Sequence, residues 1–144
     1  MPTQTVYTVE DYYDGPRAGI ADYNGHPHFY RSLYLDSPDW NADEDRFELS
    51  PVSPDVVAAA TEAAEIFDRW NRTQPQRAGV LISEIEFGAL PEDRNRRAQL
   101  HSFLASRYAE AVQASRIVVH GEFLPCTDSA SGWRVRWTTT SVNG

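Results

Sequence analysis

Two neighbouring stretches of the chain, residues 17–23 and 26–35, alternate apolar and polar positions and are joined by Asn24-Gly25. An Asn-Gly pair between alternating stretches predicts a two-residue β-hairpin, because both residues of a type I′ turn need a positive φ. A turn of this length also sets which residues face each other. The predicted pairs are Tyr23 with His26, Ala21 with His28, Ile20 with Phe29, and Gly19 with Tyr30.

The two faces of this hairpin differ in chemistry, since successive side chains of a strand point to opposite sides. We expect the apolar face to belong to the core. It carries Ile20, Phe29, Leu33 and Leu35. We expect the other face to be polar and aromatic, with room above Gly19 and Ala21 for a ligand or a partner. Its side chains are Tyr23, His26, His28, Tyr30 and Tyr34.

A purely structural interpretation of this second face stays open. A large aromatic residue opposite a strand glycine often covers exposed backbone. Tyrosine is also common in strands because it suits a pleated, half-buried surface.

The rest of the chain predicts further strands and two helices. Residues 3–9 and 46–50 read as strands, and residues 117–137 as a second hairpin in which Glu122 faces an arginine. Ser53-Pro54-Asp55 and Leu90-Pro91 are typical helix starts, and each is followed by an apolar stripe with helical spacing. Residues 80–87 are ambiguous. We therefore predict one α+β domain over residues 1–144, with a twisted antiparallel sheet of five to six strands and two amphipathic helices packed on one face.

The charge is unevenly distributed and limits the possible partners. Residues 1–72 contain 14 acidic and 5 basic side chains, whereas residues 73–144 contain 7 and 8. An acidic half argues against nucleic-acid binding, which needs cations to displace counterions from phosphate, and it favours a basic protein or a cation. There is no lysine, which excludes a Schiff-base or phosphate-loop lysine.

Other features of composition predict a soluble, cytoplasmic protein. The first ten residues lack the basic and apolar regions of a signal peptide. No apolar run approaches the roughly 20 residues that span a membrane. The single cysteine, Cys126, excludes an internal disulfide.

Two patterns could in principle bind a metal ion. An acidic loop at residues 36–45 has oxygen ligands at the spacing of the first half of a calcium loop, but Glu44 and Ser50 stand where such a loop needs glycine and glutamate. His26 and His28 would supply two imidazoles on one strand face, whereas zinc needs at least three protein ligands. We predict a solvated acidic loop, no metal and no cofactor.

The segment before the hairpin carries a small cluster of ionisable residues. Asp11, Tyr13, Asp14 and Arg17 could perform acid–base chemistry if one carboxyl were buried. Such a group more commonly fixes a turn, with the arginine neutralising the acids and donating to carbonyl oxygens. No nucleophile motif or glycine-rich phosphate loop accompanies it, so the sequence gives no clear indication of an enzyme.

The run DYYDGPRAGIADY, with the following Pro-His and Tyr30, resembles the start of small uncharacterised bacterial proteins. The resemblance covers about the first 35 residues and the Leu-Pro-Glu-Asp-Arg run from Leu90. That group carries no assigned activity, so the resemblance implies none for this chain.

The leading functional hypothesis is a non-enzymatic binding or regulatory protein of the inhibitor or immunity type. Its acidic, tyrosine-rich N-terminal face would bind a protein partner, since tyrosine and arginine commonly anchor interfaces. The acidic charge of this half favours a basic partner. The alternative is a small enzyme or ligand-sensing domain with a pocket over the Asn24-Gly25 hairpin. The candidate binding residues are Tyr13, Arg17, Tyr23, His26, His28, Tyr30 and Tyr34.

Overall fold

The computed structural model describes residues 2–12, 14–33, 45–73 and 88–139. The strands are β1 (Gln4–Thr5), β2 (Asp11–Tyr12), β3 (Pro16–Tyr23), β4 (His26–Ser32), β5 (Arg46–Pro51), β6 (Ile117–Pro125) and β7 (Trp133–Thr139). The helices are α1 (Pro54–Asn71) and α2 (Arg94–Ala114), and a short 3₁₀ turn, Pro91–Asp93, leads into α2. The predicted α+β class with an antiparallel sheet and two helices is confirmed.

The strands in the described ranges form one antiparallel sheet in the order β1-β7-β6-β5-β4-β3-β2. The sheet has seven strands, so the prediction of five to six was too low. The additional strand is β2, which lies beyond the strand expected at residues 3–9 and forms the edge of the sheet opposite to β1.

The N-terminal stretch also joins these two edges. Gln4 and Thr5 pair with β7, and the next residue, Val6, forms a bridge to Ala21 of β3. The backbone amides of Tyr7 and Thr8 then donate to the carbonyl oxygen of Ile20. Since one continuous segment is hydrogen-bonded to both ends of the strand order, the sheet curves round and closes on itself.

The hairpin of β3 and β4 has the predicted register. Tyr23 pairs with His26, and the pairing continues in step to Gly19 and Tyr30. The turn residues Asn24 and Gly25 have φ angles of 53° and 78°, as a type I′ turn requires. Local turn chemistry was sufficient to set this register.

The face of the hairpin that was expected to be open lies inside the closed sheet. Tyr30 is fully buried, and its hydroxyl donates to the carbonyl oxygen of Thr8 at 2.9 Å. A Cβ atom at Gly19 would collide with that same carbonyl oxygen, so no room exists above this glycine. The expectation of an open surface over Gly19 is therefore wrong, because the N-terminal segment covers it. The interior cluster is Val6, Ala21, Tyr30, Phe47, Leu49, Val119, Val135 and Trp137.

The opposite face of the hairpin packs under the helices, as predicted. Ile20 is fully buried in a cluster with residues of both helices, and Phe29 packs against the same cluster. The ring of Phe29 stacks on Tyr108 of α2 with centroids 4.0 Å apart and planes inclined by 9°. Leu33 is half-buried, and Leu35 lies outside the described residues.

The two helices are joined to each other by ion pairs along their length. Arg69 of α1 pairs with Asp93, Glu62 with Arg96, and Asp55 with Arg107, so that the partners advance in opposite directions along the two helices. The helices are therefore antiparallel neighbours. Each pair is exposed and contributes little to stability by itself.

Replacing Tyr30 by phenylalanine tests whether this side chain is structural. We expect Tyr30→Phe to lower the free energy of unfolding by about 1 kcal/mol, since a buried hydrogen bond to Thr8 is lost while the ring remains. Tyr12→Phe, on a side chain that is 61% exposed, is the matched control and should change it by less than about 0.5 kcal/mol. Urea denaturation measures both, and equal effects would contradict a structural role for the Tyr30 hydroxyl.

A second test concerns Glu10, whose carboxylate accepts hydrogen bonds of 2.8 Å from the hydroxyls of Thr8 and Tyr108. Loss of water around this carboxyl raises its pKa, and the two hydrogen bonds offset part of that rise. A raised pKa in the folded state stabilises the fold below the ordinary pKa, and this stabilisation is lost as the pH rises through the folded-state value.

We therefore expect the free energy of unfolding of the wild type to fall relative to that of Glu10→Gln as the pH rises from about 4 to about 8. The glutamine carbonyl can accept the same two hydroxyl donors but does not ionise. Chemical denaturation across this pH range is the measurement. A constant difference between the two proteins would contradict the raised pKa.

Candidate functional site

A pocket of about 610 Å³ lies beside the turn that joins β2 to β3. We call it the Trp133 pocket. Three parts of the chain meet there: the 12–17 turn, the start of β5, and the β6–β7 hairpin. The lining residues are Tyr12, Asp14, Gly15, Pro16, Arg17, Asp45, Phe47, His120, Gly121, Glu122, Phe123, Trp133 and Thr138.

The turn on one side of the pocket is held by the Arg17 guanidinium. Asp14 and Gly15 have φ angles of 54° and 117°, a pair of positive values that reverses the chain sharply. The guanidinium of Arg17 donates to the carbonyl oxygen of Asp14 at 2.7 Å, and the side chain is 4% exposed. Arg17 thus fixes the turn from within, as one of the two interpretations of the Asp11–Arg17 cluster predicted.

The inner wall of the pocket is aromatic. Phe47 and Phe123 line it, and their ring centroids lie 5.4 Å apart. Gly121 lines the pocket as well, and the ring of Trp137 occupies the space where a side chain at this position would be. The pocket is therefore an extension of the aromatic interior of the sheet.

The outer rim is also aromatic, but it reaches solvent. Tyr12 is 61% exposed, and its ring lies 6.3 Å from that of Trp133 at an inclination of 48°. An exposed tyrosine beside a half-buried tryptophan is a typical composition for a binding surface, since both rings offer a large apolar area and a polar group.

Acidic side chains also line this pocket. Asp14, Asp45 and Glu122 are exposed and line the pocket together with the half-buried His120. Glu122 pairs with Arg136 on the neighbouring strand, which confirms the predicted cross-strand ion pair. The backbone amide of Gly121 donates to the carbonyl oxygen of Asp45 at 2.9 Å and so fixes the start of β5 against β6.

The structure separates the candidate binding residues instead of gathering them. Arg17 lines the Trp133 pocket, whereas Tyr23 lies at the far end of β3, about 20 Å away by strand rise. Tyr23 and the buried His28 are in edge-to-face contact with centroids 5.5 Å apart, and His28 Nδ1 is 2.8 Å from the carbonyl oxygen of His26. Tyr30 is fully buried in the interior cluster, while Tyr13 and Tyr34 lie outside the described residues.

Most of the pocket residues were not singled out from the sequence. Trp133 and Phe123 read as core positions of the last hairpin, and Tyr12 as one of several tyrosines. Trp133 and Phe123 meet Tyr12 and Arg17 only through contacts between segments that are more than 100 residues apart. The one local signal was the Asp14-Gly15-Pro16 turn, which places Arg17 directly after a chain reversal.

No metal centre is found in the described ranges, because no three histidine, cysteine, aspartate or glutamate side chains there are close enough to hold an ion. His26 and His28 are described and do not form such a centre. The acidic loop at residues 36–45 lies outside the described residues except for Asp45. None of the described helices is long and apolar enough to cross a membrane.

A smaller concavity of about 480 Å³ lies between α2 and the outer faces of β4 and β5. Phe29 and Tyr108, which stack on each other, form part of its wall. Glu48 at its rim is 3.7 Å from Arg116. It is smaller than the Trp133 pocket and has fewer ionisable groups around it.

Comparison with known proteins gives no family assignment, since no family model, no curated protein and no solved structure matches this chain.

The role of Arg17 in shaping the pocket can be tested by its removal. Arg17→Leu should lower the free energy of unfolding by about 1.5–3 kcal/mol, because the buried guanidinium that donates to the Asp14 carbonyl is lost. Arg116→Leu removes an arginine from an exposed ion pair and should cost less than about 0.5 kcal/mol. Thermal and urea unfolding compare the two, and a similar small loss in both would contradict the anchoring role.

Proposed function

We propose that this protein binds a small organic ligand in the Trp133 pocket. The observation that carries the proposal is a pocket of about 610 Å³ with an aromatic inner wall, an aromatic rim and several charged groups around it. Ligand sites are typically concave, about 300–1,000 Å³ in volume, and lined by apolar side chains with a few polar groups that orient the ligand.

This proposal keeps the ligand-binding alternative from the sequence but changes its location. The space over Gly19 is filled by Thr8 and Tyr30, so a pocket above the Asn24-Gly25 hairpin receives no support. The concavity lies instead at the other end of β3, next to Arg17. The proposal assigns binding and no catalytic residue.

A thermal-shift screen with nucleotides, sugars, amines and other metabolites tests the proposal. A ligand at about 100 times its Kd should add roughly 2.7 kcal/mol to the stability of the fold, which is visible as a rise in Tm of several degrees. Tyr12→Ala should weaken binding because it removes half of the aromatic rim. Phe67→Ala removes another exposed aromatic side chain, on α1, and should leave binding unchanged.

The two variants distinguish binding in the Trp133 pocket from non-specific binding to exposed aromatic side chains. A ligand whose Tm shift is lost in Tyr12→Ala and kept in Phe67→Ala supports the proposal. A Tm shift that is equal in both variants would place the ligand elsewhere and contradict the proposal. A screen in which no compound raises Tm would also contradict the proposal.

A protein partner that docks over the same rim is a second candidate. Its support is the exposure of Tyr12 beside Trp133, together with the acidic excess of residues 1–72. Affinity purification with the wild type, Tyr12→Ala and Phe67→Ala tests it. A protein that is retained by the wild type and Phe67→Ala but lost with Tyr12→Ala would support a partner at this rim. The absence of any protein with this pattern would count against such a partner.

A further inference from the structure

We infer that the ligand of the Trp133 pocket is an organic cation with an apolar body, an inference that rests on the proposed function. The combination that points to this class is a pocket lined by both aromatic rings and exposed carboxylates. Either feature alone would be unspecific, but here both line one concavity of about 610 Å³.

The charge of the lining favours a cation. Three carboxylates, those of Asp14, Asp45 and Glu122, line the pocket, against the guanidinium of Arg17. The two kinds of charge are placed differently, because all three acids are exposed whereas Arg17 is 4% exposed and donates to the turn backbone. An arriving ligand therefore meets negative charge first. Glu122 pairs with Arg136, so that two guanidinium groups stand against three carboxylates and the net charge around the pocket is negative.

The aromatic side chains supply the second part of the recognition. Tyr12 and Trp133 at the rim and Phe123 on the inner wall present π systems, which attract cations electrostatically, with tryptophan the strongest of them. The same rings give an apolar body somewhere to pack. A hydrated inorganic cation would use neither the π systems nor the apolar surface of these rings. The expected ligand therefore carries an amine, guanidinium or quaternary ammonium group on a hydrocarbon.

Three compounds with the same benzyl group and a tetrahedral head of different charge test the inference. They are benzyltrimethylammonium, phenylmethanesulfonamide and phenylmethanesulfonate, which are cationic, neutral and anionic. The readouts are the chemical shifts of the Gly121 amide and the Trp133 indole N–H, followed by NMR titration. We expect the cation to move both signals and to bind at least about fivefold more tightly than the neutral compound. We expect the anion to bind weakest.

Charge-neutralising variants connect this preference to the pocket. Asp45→Asn should weaken binding of the cation about two- to fivefold and leave the neutral compound unaffected, because exposed ionic contacts are individually modest. Asp68→Asn makes the same change in net charge on the exposed surface of α1 and should have no effect. Added salt should reduce the difference between the cation and the neutral compound.

The outcomes separate this inference from the proposed function. If the neutral compound or the anion moves the two signals at lower concentration than the cation, the pocket binds ligands but the cation inference is overturned. Equal weakening by Asp45→Asn and Asp68→Asn would overturn it as well, since the effect would then come from net charge alone. If no compound moves either signal while the wider screen yields a Tyr12-dependent ligand that is not cationic, the inference fails and the proposed function stands.

Discussion

The structure depends on the backbone contact between the N-terminal segment and β3. Thr8 is its centre: the carbonyl oxygen accepts the buried Tyr30 hydroxyl, and the side-chain oxygen accepts the amide of Ile20 and donates to Glu10. Buried polar groups need such partners, because an unpaired one costs about 1–3 kcal/mol. By satisfying them, the segment joins both edges of the sheet, encloses an aromatic interior and brings Tyr12 against Trp133. The Trp133 pocket is a consequence of this closure.

Features that follow from neighbouring residues could be predicted from the sequence. Asn24-Gly25 set the register of the first hairpin, and the Asp14-Gly15-Pro16 run indicated a reversal whose φ angles are positive at the first two residues. The start of α1 at Pro54 follows from the fixed φ of proline after a serine. In each case the information lies within a few neighbouring residues, and no contact with a distant part of the chain overrides it.

The closure itself could not be predicted in this way. Residues 3–9 read as a strand, but their composition does not say which strands they pair with, and pairing to both β7 and β3 is a property of the whole fold. Tyr30 is an example. Its alternation with Phe29 correctly placed the two side chains on opposite faces of the hairpin, but the burial of both faces results from the closure of the sheet. The pocket could not be predicted for the same reason, because Tyr12 and Trp133 are distant in sequence and are brought together only by the closure.

The central claim is therefore that the N-terminal segment is a structural part of the closed sheet. Native-state hydrogen exchange of the Thr8, Glu10 and Ile20 amides tests it most directly, since these amides donate to β3 backbone or to the Thr8 side chain. The account predicts that all three exchange with free energies close to that of global unfolding. Exchange of Thr8 and Glu10 at the rate of an unstructured peptide, with Ile20 still protected, would contradict the closure and remove the basis for the pocket.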